Sequence, residues 1–310
     1  MTTRNSKRLR RCQLFAPGSS EKMMGKAAAL AVDQVTLDLE DAVAPSQKAE
    51  ARRKVIEAVN QLDWGKKTVC VRINDLGTEY AYEDVIQLME QAHGRLDVLM
   101  LPKARTVTDV LWVDMLLSQI EKKLKLQKRI GLEAIIEEVE GMVNVEAIAR
   151  CCPRLEALAF GMGDFAASQG VRVKHVGSDE GVPGGIWSYH RSRMVIATRA
   201  AGIDAIDGPM GDFSNPEAFR QECGRSFTIG YVGKMAIHPS QVAVAQEVFS
   251  PSAEEIARAR KLAAAYADAQ ARGLGSISVD GVMVDVASIR MLQPVLDAAD
   301  LIESVYGKAV

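Results

Sequence analysis

Glu137 and Asp164 are the residues from which chemistry is most readily built. Each closes an apolar run, IGLEAIIEE (130–138) and LEALAFGMGD (155–164). Two carboxylates with room for water oxygens make a hard-cation site, and Mg2+ typically takes one or two carboxylates plus substrate oxygens. No His or Cys stands beside them, which argues against zinc. The same pair reads equally well as salt-bridge partners of Arg72 or Lys103, and these residues alone leave both readings open. Arg72 lies in TVCVRIND (68–75). Its planar fork of donors suits a carboxylate or a developing oxyanion, and it suits Glu40 or Asp41 just as well. Those two acids close QVTLDLED (34–41) and read as groups that hold water or the arginine in place. Asp285 follows Val-Met-Val and is expected to be partly buried, where a carboxyl is more easily kept protonated.

Weaker signals surround this set. Phe15-Ala16-Pro17-Gly18-Ser19-Ser20 is a small-residue turn ahead of a helix, with Lys26 one to two turns on. Such a turn can hold an anion, although most hold nothing. Gly161-Met162-Gly163 lacks the spacing and the downstream acid of a dinucleotide fingerprint.

Eight apolar runs, each ending in polar or charged residues, position these groups. Besides the four above they are RCQLFAPGS (11–19), DVLMLPK (97–103), GIDAIDGPMGD (202–212) and GYVGKMAIHP (230–239). Helical patterns fill the gaps at 20–31, 46–62, 79–92, 106–126, 141–150, 187–201, 215–229 and 240–248, with Ser46 as a candidate N-cap and Gly94 as a candidate C-cap. Eight strand–helix units in a row predict an α/β fold, a (β/α)8 TIM barrel, whose active site lies at the C-terminal strand ends. The positions past the runs are Glu40, Asp41, Arg72, Lys103, Glu137, Asp164, Asp207 and His238. The runs do not alternate, as expected of parallel strands buried on both faces. Asp38 breaks that pattern, so a partner is expected for it inside the barrel. The stretch 166–186 reads as a long glycine-rich loop on the active face, with a substrate-covering role.

The expected organisation is a basic, solvated tail over 1–11, a catalytic barrel over 12–250 and a C-terminal extension over 251–310. The extension opens on a helix with a Ser252–Glu255 capping box, passes through SISVDGVMVD (276–285) and ends in a last helix. Its Ala- and Val-rich face predicts packing on the barrel or on another subunit. Of 310 residues, 48% are hydrophobic, and the net charge is −2, which suggests no general affinity for nucleic acid. No apolar run approaches the roughly 18 residues of a membrane span. Five cysteines without a C-x-x-C fit a reducing, cytoplasmic setting.

In order, LFAPG (14–18), LDLEDAVAP (37–45), VRIN (71–74), LPK (101–103), IIEEVEGMVN (135–144), FGMGDFAAS (160–168), AIDGPMGDF (205–213), GKMAIHP (233–239), VFSPS (248–252) and VDGVMVD (279–285) resemble the citrate lyase β-subunit-like (HpcH/HpaI aldolase/citrate lyase) family of CoA-ester lyases. RCQLFAPGS, DWGKKT (63–68) and IDGPMGDFSNPE (206–217) look most like its malyl-CoA-cleaving members. The resemblance implies Mg2+ (or Mn2+) on Glu137 and Asp164, and Arg72 on the acyl substrate. It implies Phe15, Ala16, Lys26, Gly163, Asp164, Ile237 and His238 along the CoA-ester site. It also implies a homotrimer or homohexamer in which Asp285 enters a neighbour's active site as general acid. The implied reaction is reversible Claisen-type cleavage of a 3-carboxy-3-hydroxyacyl-CoA, L-malyl-CoA or β-methylmalyl-CoA, giving an acyl-CoA and a small 2-oxo acid. Citramalyl-CoA cleavage is the alternative within the family, and an aldolase acting on free 2-oxo acids is the alternative outside it. Ser20 departs from the arginine often found there, with Lys22 as a stand-in, and Met235 replaces a tryptophan common in the malyl-CoA lyases.

Overall fold

Eight parallel strands close on themselves in chain order. In the computed structural model, which describes residues 7–177 and 185–307, they are β1 (Cys12–Pro17), β2 (Gln34–Asp38), β3 (Thr68–Arg72), β4 (Val98–Leu101), β5 (Gly131–Ile136), β6 (Leu155–Phe160), β7 (Asp204–Asp207) and β8 (Gly233–Ala236). Each bonds to the next, and β8 bonds back to β1. Helices α1 (Glu21–Ala29), α2 (Lys48–Gln61), α3 (Ala81–Ala92), α4 (Val107–Leu124), α5 (Val139–Val143), α6 (Val145–Arg150), α7 (Met162–Gln169), α8 (Ser188–Ala201), α9 (Pro216–Ile229) and α10 (Ser240–Val248) fill the connections. This is the expected (β/α)8 barrel.

Side chains alternate across each strand, so each position's parity decides what it can do. Phe15, Cys70, Val98, Met100, Ile135, Ala157, Ala159, Ile206 and Met235 pack together inside the barrel. Ala16, Leu37, Val71 and Leu99 face the helices. Two residues beyond the inner layer, the inward positions are Asp38, Arg72, Glu137, Gly161 and Ile237. Below it lie Gln13, Gln34 and Glu133, whose carboxylate accepts from both amides and from Arg10 Nε at 2.7 Å.

The chain divides into two compact units, one holding Arg10–Phe249 and the other the described residues from Ser250 onward with Lys7–Leu9. Arg10 and Arg11 are therefore not part of a solvated tail. Arg10 is 3% exposed among Glu133, Glu156 and Asp204, and Arg11 pairs with Asp33. A buried acid inside the strand GLEAII needs a cation, and the basic start supplies it. The second unit consists of α11 (Ala253–Ala271), the antiparallel hairpin β9 (Ser276–Val279) and β10 (Val282–Asp285), and α12 (Val286–Tyr306). The Ser252–Glu255 capping box is formed. Asp280 and Gly281 both take positive φ, the two-residue turn that matches strand twist. Leu262, Tyr266 and Val284 form its core.

Several local expectations shift. A 3-10 turn at Pro45–Gln47 displaces Ser46 from the start of α2, whose N-cap is Gln47. Gly94 does not cap α3, which ends on His93 with ordinary helical φ. Of the expected 166–186 loop, the first residues extend α7, Gly170 caps it in left-handed conformation, and 178–184 lie outside the described residues.

Candidate active site

Arg72 organises the rim because Asp38 is its register partner on the neighbouring strand. The two side chains point inward side by side, with Nε 2.7 Å and Nη2 2.6 Å from the two Asp38 oxygens. Asp38 also accepts from the backbone N–H groups of Glu40 and Ala42, which winds the β2–α2 connection around it. Burial raises the Asp38 pKa, but Arg72 and these N–H groups outweigh it and hold the carboxyl below its ordinary value. Arg72 Nη1 stands 2.8 Å from Glu40 Oε2, an ion pair without hydrogen-bond alignment, and 3.5 Å from Asp41. The guanidinium lies over the Phe15 ring at 5.4 Å. Asp38 takes one N–H from Nε and one from Nη2, which leaves Nη2 a second N–H to offer a ligand.

Glu137 is the first residue after β5 and is 4% exposed. A Cβ at Gly161 would stand 2.5 Å from the Glu137 Cβ and 2.8 Å from Ile135 Cγ2, so only glycine lets β6 end against this side chain. Lys103 N donates to Glu137 Oε1 at 2.8 Å. Lys103 does so from φ +47, left-handed backbone that a non-glycine residue adopts at a cost. Its ammonium bonds Glu40 Oε1 and lies 3.4 Å from Asp164 Oδ2 and 3.6 Å from Asp41. Asp164 is not at a strand end, as the apolar run suggested. It sits in the first turn of α7, four residues past β6, where an acid suits the helix N-terminus.

Five carboxylates (Asp38, Glu40, Asp41, Glu137 and Asp164) thus surround two cations. Burial pushes the Glu137 carboxyl up to about 8, and Glu40 and Asp164 add to this against Arg72. Burial likewise raises Glu40 against Arg72 and Lys103. A buried carboxylate short of positive charge fits a divalent cation, and two all-oxygen ligands suit Mg2+ with water and substrate completing its shell. Among the described residues, no three His, Cys, Asp or Glu side chains are arranged as a metal cluster.

These groups look into a cleft of about 440 Å3. Phe15, Arg72, Glu137, Gly163, Asp164 and Ile237 line it with Asp38, Asp41, Met23, Ile135, Val176 and Met235. Three expected residues do not line it. Ala16, next to inward Phe15, faces the helices at 2% exposure. Lys26 lies one turn beyond Met23 on the exposed side of α1. His238 stacks on Phe213 at 4.5 Å and bonds the Ser240 hydroxyl through Nδ1 at 2.8 Å. Asp207 is not on the rim either. Ile206 takes the inward parity, so Asp207 is fully buried toward the helices with Arg191, Ser226 and Lys234. Ser20 caps α1 by accepting from Met23 N. Lys103 joins the working set as the strand-end cation expected beside these acids, but its backbone conformation cannot be read from LPK. Asp285 is partly buried, as expected, but it does not meet the expectation of a protonated acid. It caps α12, and the N–H and hydroxyl of Ser288 hold it below its ordinary value.

The HpcH/HpaI aldolase/citrate lyase family model matches residues 11–239. The chain belongs to that family. It is similar over 304 residues to the L-malyl-CoA/β-methylmalyl-CoA lyase of Cereibacter sphaeroides, at 46% identity, covering 95% of this chain and 96% of that protein. It is 32% identical to the human mitochondrial citramalyl-CoA lyase, covering 95% of this chain and 86% of that protein. Among solved structures it resembles CitE of Mycobacterium tuberculosis in complex with magnesium, acetoacetate and coenzyme A. That match has a TM-score of 0.73 and 28% identity, and covers 93% of this chain and 97% of the other. The chain is a carbon–carbon lyase of this family. Among the described residues, no helix is long and apolar enough to cross a membrane.

Proposed function

We propose that this chain is a Mg2+-dependent CoA-ester lyase that cleaves L-malyl-CoA to acetyl-CoA and glyoxylate, and accepts β-methylmalyl-CoA. The observation that carries this reading is the meeting of Glu137, Asp164 and Arg72 in one cleft over an apolar barrel interior. Glu137 and Asp164 would hold the metal, with Mn2+ as a substitute. A bound Mg2+ supplies Lewis acidity that eases deprotonation of the substrate hydroxyl.

The chain's own residues do the rest. The hydroxyl proton passes to solvent at the cleft mouth as the carbonyl forms, and breaking the bond between the hydroxyl-bearing carbon and the carbon beside the thioester leaves an electron pair on the latter as an enolate. Arg72, locked by Asp38 and Glu40, offers Nη2–H to developing negative charge without reorganising. Phe15, Ile135, Met235 and Ile237 keep water from the reacting carbons. Gly163 and Val176 flank the cleft, and Lys26 and His238, which do not line it, are assigned to the nucleotide portion of a CoA ester.

The enolate carbon needs a proton, and Asp285 of a neighbouring copy is assigned to give it. In the free chain, Ser288 holds Asp285 ionised, the state needed to abstract the acetyl proton in the reverse direction. Entry into a neighbour's desolvated cleft would raise its pKa and enable donation. Exposed Val282, Met283, Val286 and Met291 around it form an apolar surface for that neighbour to cover, in a homotrimer or homohexamer. The test is a screen of malyl-, methylmalyl- and citramalyl-CoA for Mg2+-dependent cleavage. Fastest turnover of malyl-CoA supports the reading, and preference for citramalyl-CoA with pyruvate release overturns the assigned oxo acid.

A further inference from the structure

Lys103 is the most heavily constrained residue of the rim. It adopts left-handed backbone at φ +47, its N–H holds Glu137, and its ammonium sits between Glu40 and Asp164. It is not a cleft-lining residue, so it acts through its neighbours. Glu40 is the group it controls. That carboxylate is 5% exposed, bonded to Lys103 on one oxygen and paired with Arg72 on the other. Glu40 and Asp164 both reach the same ammonium, and Glu137 accepts from the main chain of the same residue. With Asp41 at 3.6 Å, four carboxylates are therefore gathered around one lysine; Asp41, Glu137 and Asp164 line the cleft, and Glu40 does not.

We propose that Lys103 keeps the candidate metal site open by holding Glu40 away from it. This inference rests on the metal reading given above. A third carboxylate on one divalent ion would compete with water and substrate oxygens for the remaining positions and would cancel the positive charge that polarises the substrate hydroxyl. An ammonium bonded to Glu40 supplies the positive charge that the carboxylate would otherwise find on the metal. It also places a like charge near the cation, which weakens cation binding. Lys103 is thus a positioning residue that trades metal affinity for free coordination positions. The left-handed backbone fits this role, because it directs both the N–H and the side chain of one residue at the two acids that must be kept apart.

The role predicts a change opposite in sign to structural damage. In calorimetric titration of the full chain with MgCl2, Lys103→Met should bind Mg2+ at least about tenfold more tightly than wild type, the effect of one lost positive charge and one freed carboxylate. Its turnover should fall, with KM for the acyl-CoA raised. Lys103→Arg, which keeps the cation, should stay near wild type in Mg2+ affinity. Adding Glu40→Gln to Lys103→Met should return the affinity to within about threefold of wild type, since the third carboxylate is gone. Should the methionine variant not fold, Lys103→Gly relaxes the backbone, removes the ammonium and carries the same expectation. Equal or weaker Mg2+ binding in Lys103→Met and Lys103→Gly overturns the inference while leaving the metal reading intact. So does tight binding that survives Glu40→Gln. Absence of Mg2+ binding to the wild-type chain overturns the metal reading itself, and this inference with it.

Discussion

Gly161→Ala probes the rim by a single methyl group. The backbone there, at φ −87 and ψ 74, accommodates alanine, so the effect must come from contact rather than conformation. The added Cβ would stand 2.5 Å from the Glu137 Cβ and 2.5 Å from its Oε2. Ordinary carbon contacts lie near 3.5–4.0 Å, so Glu137 must move by about 1 Å. Ile135, 2.8 Å from the same Cβ, blocks relaxation on the other side. A displacement of about 1 Å in a positioned group costs on the order of 100-fold in rate, and overpacking costs about 1–3 kcal/mol of stability. The assay is steady-state cleavage of malyl-CoA beside calorimetric Mg2+ titration and thermal unfolding. Gly224→Ala, mid-helix in α9 with nothing within 4 Å of its Cβ, serves as control and should leave the rate and Mg2+ affinity unchanged while raising stability by about 0.5–1 kcal/mol. A Gly161→Ala protein with wild-type rate and Mg2+ affinity would show that Glu137 does not depend on this contact, and that its position does not govern the chemistry.

Three further outcomes are expected. Arg72→Lys keeps the charge but cannot bond both oxygens of Asp38 and still pair with Glu40, so kcat should fall by about 10²–10³; an unchanged kcat makes Arg72 structural. Asp207 is held at about 2, where burial raises it but Arg191 and Lys234 pull it further down. Its folded value lies below its ordinary one, so it contributes about 2 kcal/mol above pH 4 that is lost as the pH falls toward 2. Asp207→Asn should flatten that part of the acid-unfolding profile, and an identical acid limb refutes the pairing. Asp285→Ala and Glu137→Gln chains, each inactive, should regain about a quarter of wild-type activity when co-expressed, since that share of shared sites receives both intact groups. Mixed oligomers that stay inactive contradict the shared site.

The barrel was legible because parallel strands buried on both faces are written as continuous apolar runs, and eight of them alternate with helical patterns. Asp38 was legible for the converse reason. An acid inside such a run demands a partner, and Arg72 meets it in register on the next strand. The same logic applies to Glu133 in GLEAII, and it could have drawn Arg10 into the barrel. Parity, more than composition, separates Asp207 from the rim. It follows an apolar run as Glu137 does, but Ile206 takes the inward place. Asp164 was found by its motif and misplaced by its run, because Gly161-Met162-Gly163 opens a helix that no strand pattern announces. Lys103 was legible as a strand-end cation and a salt-bridge partner of the acids, but its positioning role was not. Its role depends on a positive φ, and the nearest signal is a cation directly after proline at the end of a wholly apolar run.

Cleavage of a CoA ester at the Glu137–Asp164 site would be read out by product analysis with mass spectrometry. Purified chain would be incubated with L-malyl-CoA, or with free malate, with Mg2+ and with chelator. The account predicts acetyl-CoA and glyoxylate in equal amounts from malyl-CoA with Mg2+ alone, and nothing from malate. Products from free malate, or malyl-CoA left intact by a folded protein saturated with Mg2+, would contradict it.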